Sequence, residues 1–547
     1  MARHPPDDLQ RPGRDSSHQT QNEEHIMRLR WPIIVALLSL CALGVGVSQL
    51  TSGVRDVEVS RLWSADVPIT LFRSKDPDTA TRPLVVIAHG FAGSQQLMQA
   101  YAMTLALNGY LVATFDFPGH GRNTTPFTAD FTEQELRRRL LTRALVETVE
   151  VGLRQPDADG RLALLGHSMA GDVLARLASD QAYAVTALVL ISPYLAPDTS
   201  TAQLANLLFI YGAWEPELLH EQGAARVAET VDDATWTEQG DGVARPADTE
   251  RRLVLVPGVE HIGVLYAELA LSEALDWLNQ AFQHAGGGFL DRRGSALGLL
   301  YLGLLALAWP LATWLPRLAE PPRGAGLPWR HFWPVAVVPA VLTPVLLWPA
   351  PRDVLPILLV DYLFLHFALY GVLTGLALWL TRRSRSLSGE PTRLPQSVAR
   401  TRWMQLAVVT LLVSLYTTLV FAIPTDRFVT AFLPVWERLP WAAVLFFGTL
   451  LYTLADEWAT RGRGAARGGY WMTKILFVCS LLGAVALNLN SLFFLLIIIP
   501  VILALFLVYG LLSTWVYNRT GTPVVAAVAN ALAFASAMAV TFPLVAP

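Results

Sequence analysis

Cysteine is almost missing from this chain. Only Cys41 and Cys479 occur in 547 residues, both inside apolar runs. A disulfide framework is therefore not expected, and no Cys-x-x-Cys metal or redox motif can be drawn. Lysine is equally scarce, at Lys75 and Lys474 alone, so the basic residues are almost all arginine. This is read as a bias of composition and carries no functional weight. Charge is low overall: 16% of residues are charged, with a formal net charge of −3. No basic surface for nucleic acid is implied. With 53% hydrophobic residues, the chain is also too apolar for an ordinary soluble protein.

The apolarity is concentrated. Residues 1–31 are polar and rich in Pro, Arg and Asp, and are expected to be a disordered cytoplasmic tail. The run "IIVALLSLCALGVGVSQL" is long enough to cross a bilayer, and 32–51 is read as a retained anchor, with a cleaved signal as the alternative. Residues 55–288 have the composition of a soluble domain. From 292 to 547, apolar runs alternate with short Arg-bearing loops, as in a polytopic helical membrane domain. The spans drawn are 33–50, 296–316, 332–350, 354–380, 403–423, 440–456, 471–488, 491–513 and 523–544.

Arginines gather in loops that stay in the cytoplasm. With the tail inside, inner loops hold Arg317, Arg323, Arg330, the cluster 382–402, Arg461, Arg463, Arg467 and Arg519. Outer loops hold Arg352, Arg427 and Arg438, while Arg292 and Arg293 argue the other way. Long domains cross with little regard to charge, so 55–288 is expected outside, tethered at both ends.

Within 55–288, continuous apolar runs each end in polar or glycine signals: "RPLVVIAHGF", "YLVATFDFPGHG", "RLALLGHS", "VTALVLISPY", "ANLLFIYGAWEP" and "RRLVLVPGVEH". Such runs are what buried parallel strands look like. Helix-like segments such as 133–153 lie between them. The fold class expected is α/β, a doubly wound and mostly parallel sheet inserted between transmembrane helices. Sites in such sheets form past the carboxyl ends of strands, where His89, Asp116, Ser168, Glu215 and His261 all fall.

These segments, taken in order, resemble the α/β-hydrolase fold over roughly residues 65–283. "GHSMAG" (166–171) resembles its nucleophile elbow, with Ala170 where the pattern G-x-S-x-G has glycine. The resemblance implies Ser168 as nucleophile, His261 as base and Glu215 as the acid that fixes the base, with Glu217 and Asp198 as rivals. It implies an oxyanion hole from the N–H groups of Phe91 and Met169. His89, His120 and Asp116 are read as loop braces, and His167 as a packing or orienting group. No cofactor and no metal are expected. The interval 195–204 is too short for a large lid, so any cover must come from 122–135 or from 228–250, an exposed loop or hairpin. Partners expected are a small-molecule or lipid-like acyl substrate and membrane lipids. The oligomeric state is not legible.

"DEWATR" (456–461) and "YNRTGTPVVAAVANAL" (517–532) are similar to the intramembrane proteases of the CAAX-prenyl processing type. The similarity lacks that family's chemistry. Asp456 replaces its first glutamate, Asn530 stands where a histidine is expected, and no histidine follows His366. Glu457 and Arg461 are then read as a structural i,i+4 pair, and Asp361 with His366 as a buried brace. The reading is a membrane-bound serine hydrolase for esters, thioesters or amides. The alternatives are a binding or transport protein with a hydrolase-like domain, and an intramembrane protease.

Overall fold

The computed structural model describes residues 15–76, 81–128, 133–180, 182–204, 206–229, 236–239, 243–246, 251–350, 355–388, 403–493 and 495–546. Helix α1 (Asp15–Ser52) leads into the sheet domain. It begins well inside the stretch expected to be a disordered tail: residues 15–31 are helical, and 1–14 lie outside the described residues. Extending an existing helix needs no new nucleus, so the apolar run carries its polar flank along with it.

Ten strands follow among the described residues: β1 (Val57–Ser64), β2 (Val67–Ser74), β3 (Arg82–Ala88), β4 (Leu111–Phe115), β5 (Ala158–His167), β6 (Val185–Ile191), β7 (Leu207–Gly212), β8 (Trp236–Gln239), β9 (Val243–Pro246) and β10 (Arg251–Val256). Their order is β1-β2-β4-β3-β5-β6-β7-β10-β9-β8. From β4 through β10 neighbours run parallel, while β1, β2, β8 and β9 pair antiparallel at the two edges. β8 and β9 form a hairpin inside the 228–250 segment.

Side chains alternate across a strand. Val85 and Ile87 of β3 therefore pack one way, with Tyr101 of α2 (Gln99–Leu107) and Leu271 of α6 (Glu268–Phe282). Leu84 and Val86 pack the other way, with Leu145 of α3 (Gln134–Leu153), Leu174 of α4 (Ala170–Ser179) and Val227 of α5 (Glu217–Ala228). Helices cover both faces, which is why the central strands read as unbroken apolar runs.

The second region is helical: α7 (Arg293–Ala312), α8 (Trp329–Leu346), α9 (Val360–Leu387), α10 (Trp403–Leu415), α11 (Phe421–Phe428), α12 (Leu439–Thr460), α13 (Gly469–Leu487), α14 (Leu489–Leu492), α15 (Leu495–Thr520) and α16 (Pro523–Thr541). Among the described residues, eight helices are long and apolar enough to cross a membrane. Nine spans were expected. The one outside that set is α8, which carries Arg330, His331 and prolines 334, 339 and 344. The span expected at 491–513 runs instead over Ile498–Thr520, after the short α14. α1 and α7 cross closely: a Cβ at Gly46 would lie 2.9 Å from the Ala296 carbonyl, so only glycine admits this approach.

The helices meet the sheet at its carboxyl edge. Ser94, after β3, bonds Thr430 Oγ1 (2.9 Å) and accepts from Ala431 N–H (2.8 Å). Arg122, after β4, pairs with Asp426 (2.7 Å). Arg438, expected in an outer loop, is buried, donating to the carbonyls of Gly119 (2.6 Å), Ala539 (2.6 Å) and Phe542 (2.7 Å). Leu544 pairs with both Gly119 and Phe127 (2.8 Å each). The segment 122–128, expected as a possible cover, is thus fastened to the end of the helical region, while 129–132 lie outside the described residues.

Candidate active site

β5 ends at His167, and Ser168 turns into α4 with φ +53°, a left-handed conformation strained for any residue with a Cβ. Crowding explains the flanks. A Cβ at Gly166 would lie 2.3 Å from Leu174 and 3.0 Å from Ala170, and one at Gly171 would lie 2.5 Å from Pro193. Ala170, the departure from the elbow pattern, is accommodated because Gly166 leaves room for its methyl group.

The structure brings together three residues far apart in the chain. His261 Nε2 lies 3.0 Å from Ser168 Oγ, and His261 Nδ1 lies 2.8 Å from Glu215 Oε2. An ionised carboxylate only accepts, so Nδ1 carries the proton and Nε2 offers its lone pair to the hydroxyl. The Glu215 side chain is completely buried, whereas the His261 side chain is 25% exposed. Its other oxygen, Oε1, accepts from Ser192 Oγ–H (2.5 Å) and Gly212 N–H (2.7 Å), so the buried charge is fully bonded. The rivals lie elsewhere. Glu217 is exposed on the first turn of α5, and Asp198 pairs with Arg138 and Arg176, 2.8 Å from each.

Ser192 was not singled out from the sequence. A serine closing β6 looks like any turn residue, and its proximity to Glu215 exists only because β6 and β7 are neighbours. Hydrogen bonds to charged groups are worth about 1.5–3 kcal/mol. Ser192→Ala is therefore expected to lower kcat/KM on a soluble ester by about tenfold or more, measured against the parent chain.

Phe91 follows Gly90 on the loop after β3, and Met169 follows Ser168. A Cβ at Gly90, beside Phe91, would lie 2.9 Å from Ser168 Cβ. Met169 is the N-cap of α4, where the helix leaves N–H groups without internal partners. Among the described residues, no group of three or more His, Cys, Asp or Glu is placed to hold a metal ion.

The other expected residues brace loops. Phe117 N–H donates to His89 Nε2 (3.0 Å), so the proton is on Nδ1, which donates to the Gly90 carbonyl (2.7 Å). Asp116 accepts from the N–H groups of Gln95 (2.7 Å) and Arg122 (3.0 Å). His167 orients, one of the two roles expected of it: its Nε2–H donates to the carbonyl of His261 (3.0 Å), holding the turn that carries the base.

Burial lowers the pKa of His89, His120 and His167, the three buried histidines of the sheet domain. In His89 desolvation outweighs the attraction of Asp116. In His120 and His167 desolvation is joined by the charges of His89 and His261 respectively, and both fall well below the usual range. Unfolded, each titrates near 6.5 and takes up a proton that the fold refuses. Their stabilisation is therefore complete above about pH 6.5 and is lost on acidification, by up to about 1.4 kcal/mol per pH unit for each histidine. The opening free energies of β3 and β5 amides, from hydrogen exchange at pH 7 and pH 5.5, should show the loss.

In the helical region, Arg461 Nε bonds Glu457 Oε2 (3.0 Å), with Ser513 beside them, and Lys474 pairs with Asp456. The i,i+4 pair expected of Glu457 and Arg461 is present, and Arg461, also placed in an inner loop from the sequence, is buried. Asn530, Asp456 and Lys474 line one small cleft with aromatic residues such as Tyr452 and Phe534. Asp361 and His366 brace separate segments: Asp361 accepts from Leu355 N–H (2.7 Å), and His366 meets the Tyr362 hydroxyl at 3.3 Å.

Comparison with known proteins places the sheet domain. Residues 79–232 match the family described as serine aminopeptidase, S33 (Hydrolase_4). The match includes Ser168 and Glu215 and ends before His261. Solved structures similar to the chain include a protein described as a predicted CIB-like hydrolase from Thermoplasma acidophilum, with 13% identity, 41% of this chain and 98% of that one covered, and a TM-score of 0.30. A dienelactone hydrolase from Anabaena variabilis gives 18%, 42%, 98% and 0.31. A thioesterase domain from the curacin biosynthetic pathway gives 16%, 40%, 98% and 0.29. No curated protein matches the chain. The chain carries an α/β-hydrolase domain joined to a helical region with several apolar helices.

Proposed function

We propose that this chain is a membrane-bound serine hydrolase cleaving an ester, thioester or amide by way of an acyl-enzyme. The observation carrying the reading is the line from Ser168 through His261 to Glu215, at 3.0 Å and 2.8 Å, ending on a buried, fully bonded carboxylate. His261 Nε2 takes the hydroxyl proton as Ser168 Oγ attacks the acyl carbon. The N–H groups of Phe91 and Met169 stabilise the resulting oxyanion. The carbon–heteroatom bond then breaks, and His261 returns its proton to the leaving alcohol, thiol or amine. Water, deprotonated by His261, attacks the acyl-enzyme and releases the acid and Ser168.

The membrane domain holds the hydrolase domain on the extracytoplasmic side in this reading. The arginines that argued against it are neutralised locally: Arg293 pairs with Asp291 and bonds Gln99 (2.7 Å), and Arg292 pairs with Glu268. The carboxylates of α12 are each taken up by a cation, Asp456 by Lys474 and Glu457 by Arg461, which speaks against an intramembrane protease. Labelling of the full chain by a fluorophosphonate, with turnover of a panel of esters, thioesters and amides, tests the proposal. Absence of both would return the domain to a binding or transport role.

A further inference from the structure

The parallel strands β3, β4, β5, β6, β7 and β10 all end at one edge of the sheet. The loops after β3 and β4 are fastened to helix ends through Ser94–Thr430, Arg122–Asp426 and Gly119–Leu544. At the same level, α7 begins beneath the turn after β10, where a Cβ at Gly294 would lie 3.2 Å from Tyr266 Cβ. The sheet therefore stands with its carboxyl edge toward the helical region. Trp436, 84% exposed and two residues before the buried Arg438, marks the same level on the outside of the helices. Exposed tryptophans at helix ends sit at the boundary between headgroups and acyl chains.

The loops after β6, β7 and β10 continue this edge beyond the helices. They carry Tyr194 (58% exposed), Trp214 (70%), Leu218 on the first turn of α5 (74%) and Ile262 (37%). This rim surrounds the site. Tyr194 N–H donates to the Ser168 carbonyl (3.2 Å), Trp214 N–H donates to the Val259 carbonyl (3.0 Å), and Ile262 follows His261. Apolar side chains this exposed, on the loops that carry the site, mark a contact with something apolar. Their level makes that partner the bilayer.

We infer that the rim rests on the membrane surface beside the helices, and that the substrate is a membrane-resident amphiphile whose acyl ester reaches Ser168 from the lipid side. The inference rests on the hydrolase reading for its chemistry, but not for its geometry. Interfacial apolar residues of this kind dip into the headgroup region and hold the mouth against the lipid. A lipid acyl group then needs to rise only partly out of the bilayer to meet the nucleophile, and no large lid is required to shield it from water.

Two measurements test this on the full chain in phosphatidylcholine nanodiscs. In a Cys41→Ser, Cys479→Ser background, Leu218→Cys carries an NBD fluorophore. Blue-shifted emission, quenched by nitroxide lipids, is expected. The same label on Arg154→Cys, at the opposite end of α3, should stay water-like and unquenched. Water-like, unquenched emission at 218 overturns the inference. The second measurement compares 4-methylumbelliferyl oleate in the bilayer with the soluble acetate ester. Trp214→Ser with Leu218→Ser should lower the oleate-to-acetate ratio of kcat/KM by about tenfold or more, and an unchanged ratio overturns the substrate assignment. Quenching at 218 without fluorophosphonate labelling or turnover of either ester would retire the hydrolase reading and leave only the geometry.

Discussion

Ser168→Ala is expected to lower turnover by about a millionfold and to abolish fluorophosphonate labelling. The expectation follows from the geometry of the elbow. Ser168 is the residue that β5 and α4 force to φ +53°, and its Oγ is the atom facing His261 Nε2. Alanine keeps the Cβ and the turn but leaves the base with no proton to take, so only background catalysis by the remaining dipoles survives. His261→Ala should cost about as much, because an unassisted hydroxyl is a weak nucleophile at neutral pH. The double variant should be scarcely worse than either single one, since the two groups act as a unit. Turnover is read with a soluble ester, and folding is checked by the thermal transition. An alanine variant that folds, labels and turns over like its parent would remove Ser168 from the chemistry.

The central strands were legible because local rules act on short windows, whereas Ser168, Glu215 and His261 were singled out together only through the resemblance to a known fold. Apolar runs closed by glycines mark buried parallel strands, and a serine between small residues marks a turn that only small neighbours allow. What escaped were contacts between windows. Ser192 reaches Glu215 across neighbouring strands, and His167 holds His261 across 94 residues of chain. Arg438 lies 319 residues from the Gly119 carbonyl it holds. Lys474 was visible as one of two lysines, and a lone charge in an apolar run could have been flagged as needing a partner, yet nothing in the spacing named Asp456. α8, drawn as a span, is not among the described helices long and apolar enough to cross a membrane, since three prolines and a polar start interrupt its apolar run. The tail failed in the opposite direction, because composition alone does not register that a flanking segment can extend an existing helix.

Glu215→Gln is expected to cost about ten-thousandfold in kcat, and the cause can be assigned atom by atom. Oε1 sits between two donors, the Ser192 hydroxyl and the Gly212 N–H, at 2.5 Å and 2.7 Å. In glutamine the carbonyl oxygen must take that position, because an NH2 group there would face both donors. The NH2 is then left pointing at His261 Nδ1, where the carboxylate oxygen had accepted at 2.8 Å. Two N–H groups cannot bond each other, so Nδ1 gives up its proton to become the acceptor. The proton moves to Nε2, and the lone pair that faced Ser168 is replaced by a donor. The base is thus lost without removal of the histidine, along with the charge that stabilises the imidazolium. Glu217→Gln and Asp198→Asn should leave kcat near the parent value, since neither carboxylate reaches His261. Should Glu217→Gln instead carry the loss, the acid would have to be reassigned, and with it the account of why β7 ends in a glycine three residues before a buried glutamate.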